Sequence, residues 1–410
     1  MSAAHLTETS FRKIFPQSLF AASTSFLDLT AGFIVAFISV YVLAKPWILI
    51  FYPPLLTIRG NINGVLSGRL STGLHLGLIS PSLKGNTKYF YSLVASVFFT
   101  SFICSVVIGF FSYGLSLLLT PGSDLTLSLS LDLSILSMMI CTLISVFFLS
   151  PTIAITAYRK GADPDIVLYP VLSTMNDILM SGIYVFLVFT LIFWSWAFTI
   201  MSLLLVPSFT VLAAYLFVKY RGEDEFKETL TESLPVAIVL TFVSNAAGGF
   251  LSEMKASISS HPQLLAVYPS LICNIGEEGS MISSSVSTRL SLGYIEPSMR
   301  SFKEKESKTV VSGVVSAGLI AVTGFTLAAT LTYTRFPLTI LESVLTVVAT
   351  KLLLLPFIVT LSFWIAVVTF KRGLNPDNIT IPVITSISDM TTTVVLFLVS
   401  RLILLSLIHI

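Results

Sequence analysis

The sequence predicts an all-α integral membrane protein with about eleven transmembrane helices, arranged as two parallel five-helix repeats joined by an extra linking helix. Three observations predict this fold. Of the 410 residues, 54% are hydrophobic and 11% are charged, and the mean hydropathy is +0.92. A soluble domain has about 25% charged residues. Apolar segments of spanning length recur along the chain, and two polar stretches recur at nearly constant offsets.

Charge and cysteine content narrow the function classes. The net charge of +2 is too small to indicate a nucleic-acid partner. The three cysteines lie in apolar stretches without paired spacing, which favours buried packing thiols. The four histidines are scattered and form no metal-binding pattern. The lipid bilayer is therefore the expected surrounding, and no nucleic acid is expected.

The spans are predicted from runs of apolar residues. They are 18–43, 47–79, 89–119, 127–157, 167–197, 199–218, 233–252, 264–295, 309–334, 340–370 and 379–408. Several exceed the roughly 20 residues that a crossing needs, so tilted or kinked helices are expected. The long apolar stretch from 167 to 218 is divided at Trp194 and Trp196, because tryptophan favours the membrane interface.

The basic residues predict the orientation. Fifteen of the 23 Lys and Arg residues fall in segments on the side of the N-terminus, and four fall at the opposite ends. Because cytoplasmic loops are enriched in Lys and Arg, we expect a cell-membrane protein with a cytoplasmic N-terminus and an outer C-terminus. The charged segment "RGEDEFKE" (221–228) is expected to be a solvated cytoplasmic linker.

An internal repeat divides the chain. At an offset of 216, "YPPLLTIRGNINGVLSGRLSTGLHLGLISPS" from Tyr52 aligns without gaps with "YPSLICNIGEEGSMISSSVSTRLSLGYIEPS" from Tyr268, with 13 identities in 31 positions. At an offset of 212, "KGADPDIVLYPVLSTMND" (160–177) aligns with "RGLNPDNITIPVITSISD" (372–389). The predicted domains are therefore a first repeat (1–198), a linking helix with a charged loop (199–228) and a second repeat (229–410).

The two repeats are expected to be parallel. Each contains an odd number of spans, and the extra span at 199–218 gives both the same orientation. In such proteins, the ion-binding residues gather at the repeat interface near the bilayer midplane. One chain contains both repeats, so we expect a pseudo-dimer that functions as a monomer.

Asp177 and Asp389 are the strongest candidate site residues. They occupy equivalent positions early in the last span of each repeat, and neither has a Lys or Arg within one turn of its own helix. A carboxylate at membrane depth costs about 2.5–3.5 kcal/mol, so two equivalent ones indicate a function. The alternative is hydrogen bonding to a neighbour such as Asn176 or Ser388. Asp→Asn changes are expected to ease insertion by removing the charge.

A pair of carboxylates across a wet pathway suits a divalent cation. Mg²⁺ keeps several waters and is commonly held by one or two carboxylates. Hydroxyls near both aspartates are expected to bind those waters. They are Ser173, Thr174, Thr385 and Ser386.

Polar residues of the repeated stretch are weaker candidates. Asn61 and Asn63 are expected to line the pathway beside Gly60, although small residues also serve close helix packing. Glu277 and Glu278 occur in the second repeat only. They either attract cations or pair with a base such as Lys351, and both interpretations remain open.

These motifs resemble those of the MgtE family of magnesium transporters, in the two-repeat form of its eukaryotic solute-carrier relatives. "GNINGVLSGRLSTGLHLG" is similar to the family's second-span pattern, and "DPDIVLYPVLSTMND" and "NPDNITIPVITSISD" are similar to its last-span pattern. The resemblance implies passage of Mg²⁺ between two five-helix units. It also implies that Asp177 and Asp389 hold the ion and that Asn61 lines the pore. The second repeat departs from the pattern with "NIGEEG".

Two other functions compete with divalent-cation transport. An intramembrane aspartyl protease also needs two embedded aspartates, but here the flanking sequences repeat and no Gly-x-Gly-Asp signature occurs. A scaffold or lipid-handling protein would neutralise both aspartates with bases. We therefore expect a transporter and no enzyme. A channel and a Na⁺- or H⁺-coupled exchanger are both compatible with the carboxylates.

Overall fold

Helices form most of the chain in the part that the computed structural model describes. The described residues are 11–82, 85–159, 164–291, 293–334, 336–372 and 376–404, and no β-strand occurs within these ranges. The motif residues 160–163 and 373–375 and both chain ends lie outside them. The predicted all-α fold is confirmed.

The chain folds into two compact units that are not continuous in sequence. We call Phe37–Lys255 the central unit, and Met1–Ala36 together with Ala256–Ile410 the terminal unit. The helices of the central unit are α3 (Ile48–His75), α4 (Lys88–Leu119), α5 (Leu127–Ile144), α6 (Ser150–Arg159), α7 (Pro164–Phe193), α8 (Ser195–Tyr220) and α9 (Asp224–Glu253). Those of the terminal unit are α1 (Phe11–Ser23), α2 (Ser25–Ala36), α10 (Lys255–Ser260), α11 (Gln263–Ser291), α12 (Lys305–Tyr333), α13 (Pro337–Lys371) and α14 (Pro376–Leu404).

Each compact unit contains the first helix of the other sequence repeat. In the central unit, α9 packs against α3 and α4. In the terminal unit, α2 packs against α11, and α1 packs against α12. The boundaries of the compact units therefore differ from the predicted boundaries of the sequence repeats. The predicted division of the chain into repeats stays a prediction.

Glycines make this exchanged packing possible in both units. In the central unit, a Cβ atom on Gly248 of α9 would lie 2.0 Å from the carbonyl oxygen of Ile50 on α3. In the terminal unit, a Cβ atom on Gly32 of α2 would lie 1.7 Å from the carbonyl oxygen of Ala266 on α11. Both pairs are related by the offset of 216. The repeat therefore extends to the packing, where only glycine lets the backbones approach so closely.

Most of the predicted spans coincide with helices that suit a membrane. Among the described residues, nine helical segments are long and apolar enough to cross a bilayer. The predicted spans 47–79 and 264–295 coincide with α3 and α11, which are long but too polar to belong to that group. The protein is a multi-pass membrane protein, and the total of eleven spans stays a prediction.

The predicted break near Trp194 is confirmed, because α7 ends at Phe193 and α8 begins at Ser195. Helix α8 is the linking helix of the sequence prediction. Only 17% of the residues in its most apolar stretch are buried. The helix exposes large side chains such as Leu203, Leu204 and Val211. Most of its surface is therefore available to lipid.

The charged segment 221–228 is mostly exposed, and part of it is helical. Helix α9 begins within it at Asp224, and acidic residues in a first turn stabilise a helix. Arg69 of α3 binds Glu225 and Glu232 at 2.9 Å each and Glu228 at 3.3 Å. The acidic segment therefore anchors the end of α3 within the central unit.

A second contact holds the opposite end of α3. Asp124, in the loop between α4 and α5, accepts a hydrogen bond from the Trp47 indole at 2.9 Å and pairs with Lys45. Partial burial raises the pKa of Asp124, but the hydrogen bonds from Lys45 and Trp47 outweigh it, so the pKa lies below its ordinary value. The ionised carboxylate thus favours the folded loop.

Candidate cation site

Asp177 lies in a buried ion pair within the central unit. Its side chain is 2% exposed, and Oδ1 lies 2.5 Å from Nη2 of Arg59, whose side chain is 7% exposed. Nη1 of Arg59 donates to the carbonyl oxygen of Ser173 at 2.8 Å. The base comes from α3 and the acid from α7, so spacing along one helix did not reveal the pair. The sequence prediction concerned only bases within one turn of the same helix, so it did not anticipate this partner from α3.

The ion pair changes what Asp177 can bind. An arginine stays charged at any physiological pH, so the guanidinium occupies one carboxylate oxygen as a fixed positive charge. A second cation beside it would be repelled strongly in this buried setting. A metal ion therefore reaches the inner coordination shell of Asp177 only if Arg59 moves, or it binds through water molecules.

The other predicted residues of the first repeat lie on the same two helices. Ser173 and Asn61 are half-buried, and Thr174 and Asn63 are buried. Helices α3 and α7 pack together, and Ser173 is joined to the Arg59–Asp177 pair through its carbonyl oxygen. The Oδ1 atom of Asn63 accepts a hydrogen bond from Ser145 at 3.1 Å. Ser145 begins a π-helical turn, a local irregularity that is common at functional sites.

Asn176 does not hydrogen-bond Asp177. It is fully buried, and neither amide atom has a hydrogen-bond partner among the described residues. Its equivalent in the second repeat, Ser388, is also fully buried, and its hydroxyl has no partner in that part of the chain. The alternative in which these two neighbours hold the aspartates is therefore not observed.

The predicted residues of the second repeat lie on α11 and α14 of the terminal unit. Asp389 and Thr385 are half-buried, and Ser386 is buried. A Cβ atom on Gly276 of α11 would lie 3.5 Å from Cγ2 of Thr385, so the two helices are close one turn before Asp389. Ile275 is the equivalent of Arg59. Helix α11 thus carries no base at that position.

Matching hydrogen bonds join these helices in both units. Tyr52 on α3 bonds Ser181 on α7 at 2.8 Å, and Tyr268 on α11 bonds Thr393 on α14 at 2.8 Å. Both residues of the first pair map onto the second pair by the repeat offsets. Asp177 and Asp389 are therefore presented by equivalent local frameworks.

Glu277 and Glu278 have different surroundings. Oε1 of Glu278 lies 2.6 Å from Nζ of Lys351, and the two side chains are 1% and 0% exposed. Glu277 is half-buried and accepts hydrogen bonds from Thr24, which lies between α1 and α2, and from Ser25, the first residue of α2, at 3.5 and 3.4 Å. For Glu278, the interpretation as a partner of Lys351 is the one observed. A role of either glutamate as a metal ligand stays a prediction.

Arg59 is a residue of this candidate site that the sequence pattern did not single out. The available signal was an arginine within an apolar span, directly before Gly60. An ionisable residue at membrane depth is by default a candidate functional residue with a partner to be found.

Comparison with known families identifies the same repeated segments. The family model MgtE, described as a divalent cation transporter, matches residues 52–187 and 268–399. Together these segments cover more than half of the chain. They begin at Tyr52 and Tyr268, where the repeat begins, and each includes one of the two aspartates. No solved structure matches the chain.

Proposed function

Because the chain belongs to the MgtE family of divalent cation transporters, we propose that it carries Mg²⁺ across the cell membrane. The observation that supports this most is the buried carboxylate of Asp177 in the first matched segment, with Asp389 at the equivalent place in the second. A membrane protein bears the cost of such a charge where an ion must pass.

Asp177 and Asp389 act as the principal ligands of the ion. Mg²⁺ dehydrates reluctantly and prefers a near-octahedral oxygen shell, so it keeps waters between itself and most of the protein. Ser173, Thr174, Thr385 and Ser386 bind those waters through their hydroxyls. Asn61 and Asn63 offer amide oxygens along α3, and the pathway runs along the interface of the two sequence repeats.

Arg59 substitutes for the ion when the pathway is empty. Its guanidinium lies 2.5 Å from Asp177 and prevents an isolated buried carboxylate, which would be very unfavourable. Arrival of Mg²⁺ supplies the positive charge from another source, and Arg59 then releases the carboxylate. Glu278 is less available for this exchange, because its carboxylate pairs with Lys351.

One chain forms one pathway, with the N-terminus cytoplasmic and the C-terminus outside. Both repeats are joined covalently, so the second repeat is present at a high effective concentration. An aspartyl protease is less compatible with these residues, because Asp177 pairs with Arg59, whereas a catalytic dyad pairs its two carboxyl groups with each other.

Flux of Mg²⁺ into proteoliposomes tests the proposal. Purified protein reconstituted with an internal Mg²⁺-sensitive dye should give Mg²⁺ entry that liposomes without protein lack, and entry should rise with an inside-negative potential or an opposing Na⁺ gradient. Absence of flux under every gradient, together with cleavage of an added transmembrane peptide, would instead identify the protease.

A further inference from the structure

The terminal unit contains a second buried charged cluster, built from three helices. Lys351 of α13 donates to the Glu278 carboxylate at 2.6 Å and to the amide oxygen of Asn274, one turn earlier on α11. On α12, Gly318 leaves the necessary space, since a Cβ atom there would lie 1.4 Å from Oε1 of Glu278 and 2.7 Å from Nζ of Lys351. The ammonium group is therefore enclosed by oxygen atoms and bare backbone.

The fold does not require this cluster. At the repeat offset of 216, the central unit has Ile58 and Ile62 where the terminal unit has Asn274 and Glu278, and both isoleucines are buried. The central unit therefore has apolar side chains at the two positions where the terminal unit has polar ones. A buried ion pair is often no more stable than well-packed apolar residues, so the polar version in one repeat indicates a function.

The Glu278 carboxylate can also accept a further hydrogen bond or bind a further cation. Oε2 of Glu278 is buried and has no hydrogen-bond partner among the described residues. An unpartnered carboxylate oxygen in such a setting is unfavourable unless a cation or a donor is close. Among the described residues, the cation that contacts Glu278 is the tethered ammonium of Lys351.

We propose that Asn274 and Glu278 form a second cation site, separate from the aspartates, whose resident cation is the Lys351 ammonium. The site takes a small ion with a single positive charge, of the size and hydrogen-bonding capacity of a primary ammonium. By filling it, Lys351 prevents the glutamate from competing for the transported divalent ion.

Removing the side chain of Lys351 should open this site to an external ion. Lys351→Ala leaves a cavity of about the size of an alkylammonium ion beside Glu278. The apparent melting temperature of the variant in detergent should fall by about 6–20 °C, because a buried charge loses its partner. Methylammonium at about ten times its dissociation constant should then restore about 3–5 °C.

Matched variants and ions make the experiment specific. Tetramethylammonium has the same charge but no N–H donor and should have no effect. Lys351→Met with Glu278→Ile and Asn274→Ile copies the apolar composition of the first repeat. It should keep the wild-type melting temperature without responding to any ammonium ion. If Lys351→Ala cannot be purified in ordinary buffer, its yield after solubilisation with and without methylammonium gives the same comparison.

Recovery with methylammonium, but not with tetramethylammonium or in the apolar triple variant, would support the site. Equal recovery with tetramethylammonium, or wild-type stability of Lys351→Ala without any added ion, would overturn it. This readout needs no transport, so it can fail while Mg²⁺ flux is observed, or succeed while flux is absent.

Discussion

Breaking the Arg59–Asp177 pair should destabilise the protein more than removing both charges. The interacting atoms lie 2.5 Å apart, with side chains 7% and 2% exposed. At an effective dielectric constant of about 20, their Coulomb attraction is about 7 kcal/mol before desolvation is subtracted. Removing one partner of a buried pair typically costs about 3–5 kcal/mol, whereas replacing both is nearly neutral.

Thermal unfolding in detergent measures this coupling. Asp177→Asn and Arg59→Gln should each lower the apparent melting temperature by about 6–20 °C. The double variant should lie within about 3 °C of the wild type. The exposed pair of Lys45 and Asp124 provides the control, because its side chains are 30% and 57% exposed. Lys45→Gln should cost less than about 1 kcal/mol. A double variant as unstable as the sum of the single ones would refute the reasoning.

Three further predictions follow from other parts of the structure. Gly248→Ala should destabilise strongly because of its 2.0 Å approach to a carbonyl oxygen, whereas Gly114→Ala, which meets open space, should be neutral or slightly stabilising in the same melting assay. Asp124 has a lowered pKa, so its stabilising contribution is complete above the ordinary carboxyl pKa and is lost as the pH falls through the lowered one. Asp124→Asn should therefore remove part of the loss of melting temperature between pH 5 and pH 2, and an unchanged pH profile would contradict this. Single cysteines at Ser82 and Ser123 should react with an impermeant thiol reagent from the cytoplasmic and the outer side respectively, and labelling from one common side would exclude the predicted orientation.

The sequence predicted the helical membrane fold well, because that fold depends on composition and on apolar run length. The break at Trp194 is also a local property of the chain and agrees with the structure. The repeated motifs fall within the two segments that the family model matches. The exchange of first helices between units was not predictable in this way. It depends on which distant helix Gly32 or Gly248 meets, and the sequence records only that a small residue is present.

The sequence indicated the aspartates as candidate site residues, but it did not indicate which base pairs with Asp177. The aspartates stood out because carboxylates are rare in apolar spans. Their partners were harder to find, since Arg59 reaches Asp177 from a helix 118 positions earlier. This contact reverses one expectation about stability. Asp177→Asn alone should not ease folding, because it leaves a buried guanidinium without its carboxylate.

Mg²⁺ flux in proteoliposomes with fewer than one chain per vesicle tests the central claim most directly. Wild-type protein should give entry proportional to the amount of protein, because one chain forms one pathway. Asp389→Asn, and the stable double variant Arg59→Gln with Asp177→Asn, should each lower the rate at least about tenfold. That factor corresponds to about 1.4 kcal/mol, less than one charge-assisted contact usually contributes. Wild-type flux in a chain that carries all three changes would contradict the assignment of the two aspartates as the ion ligands.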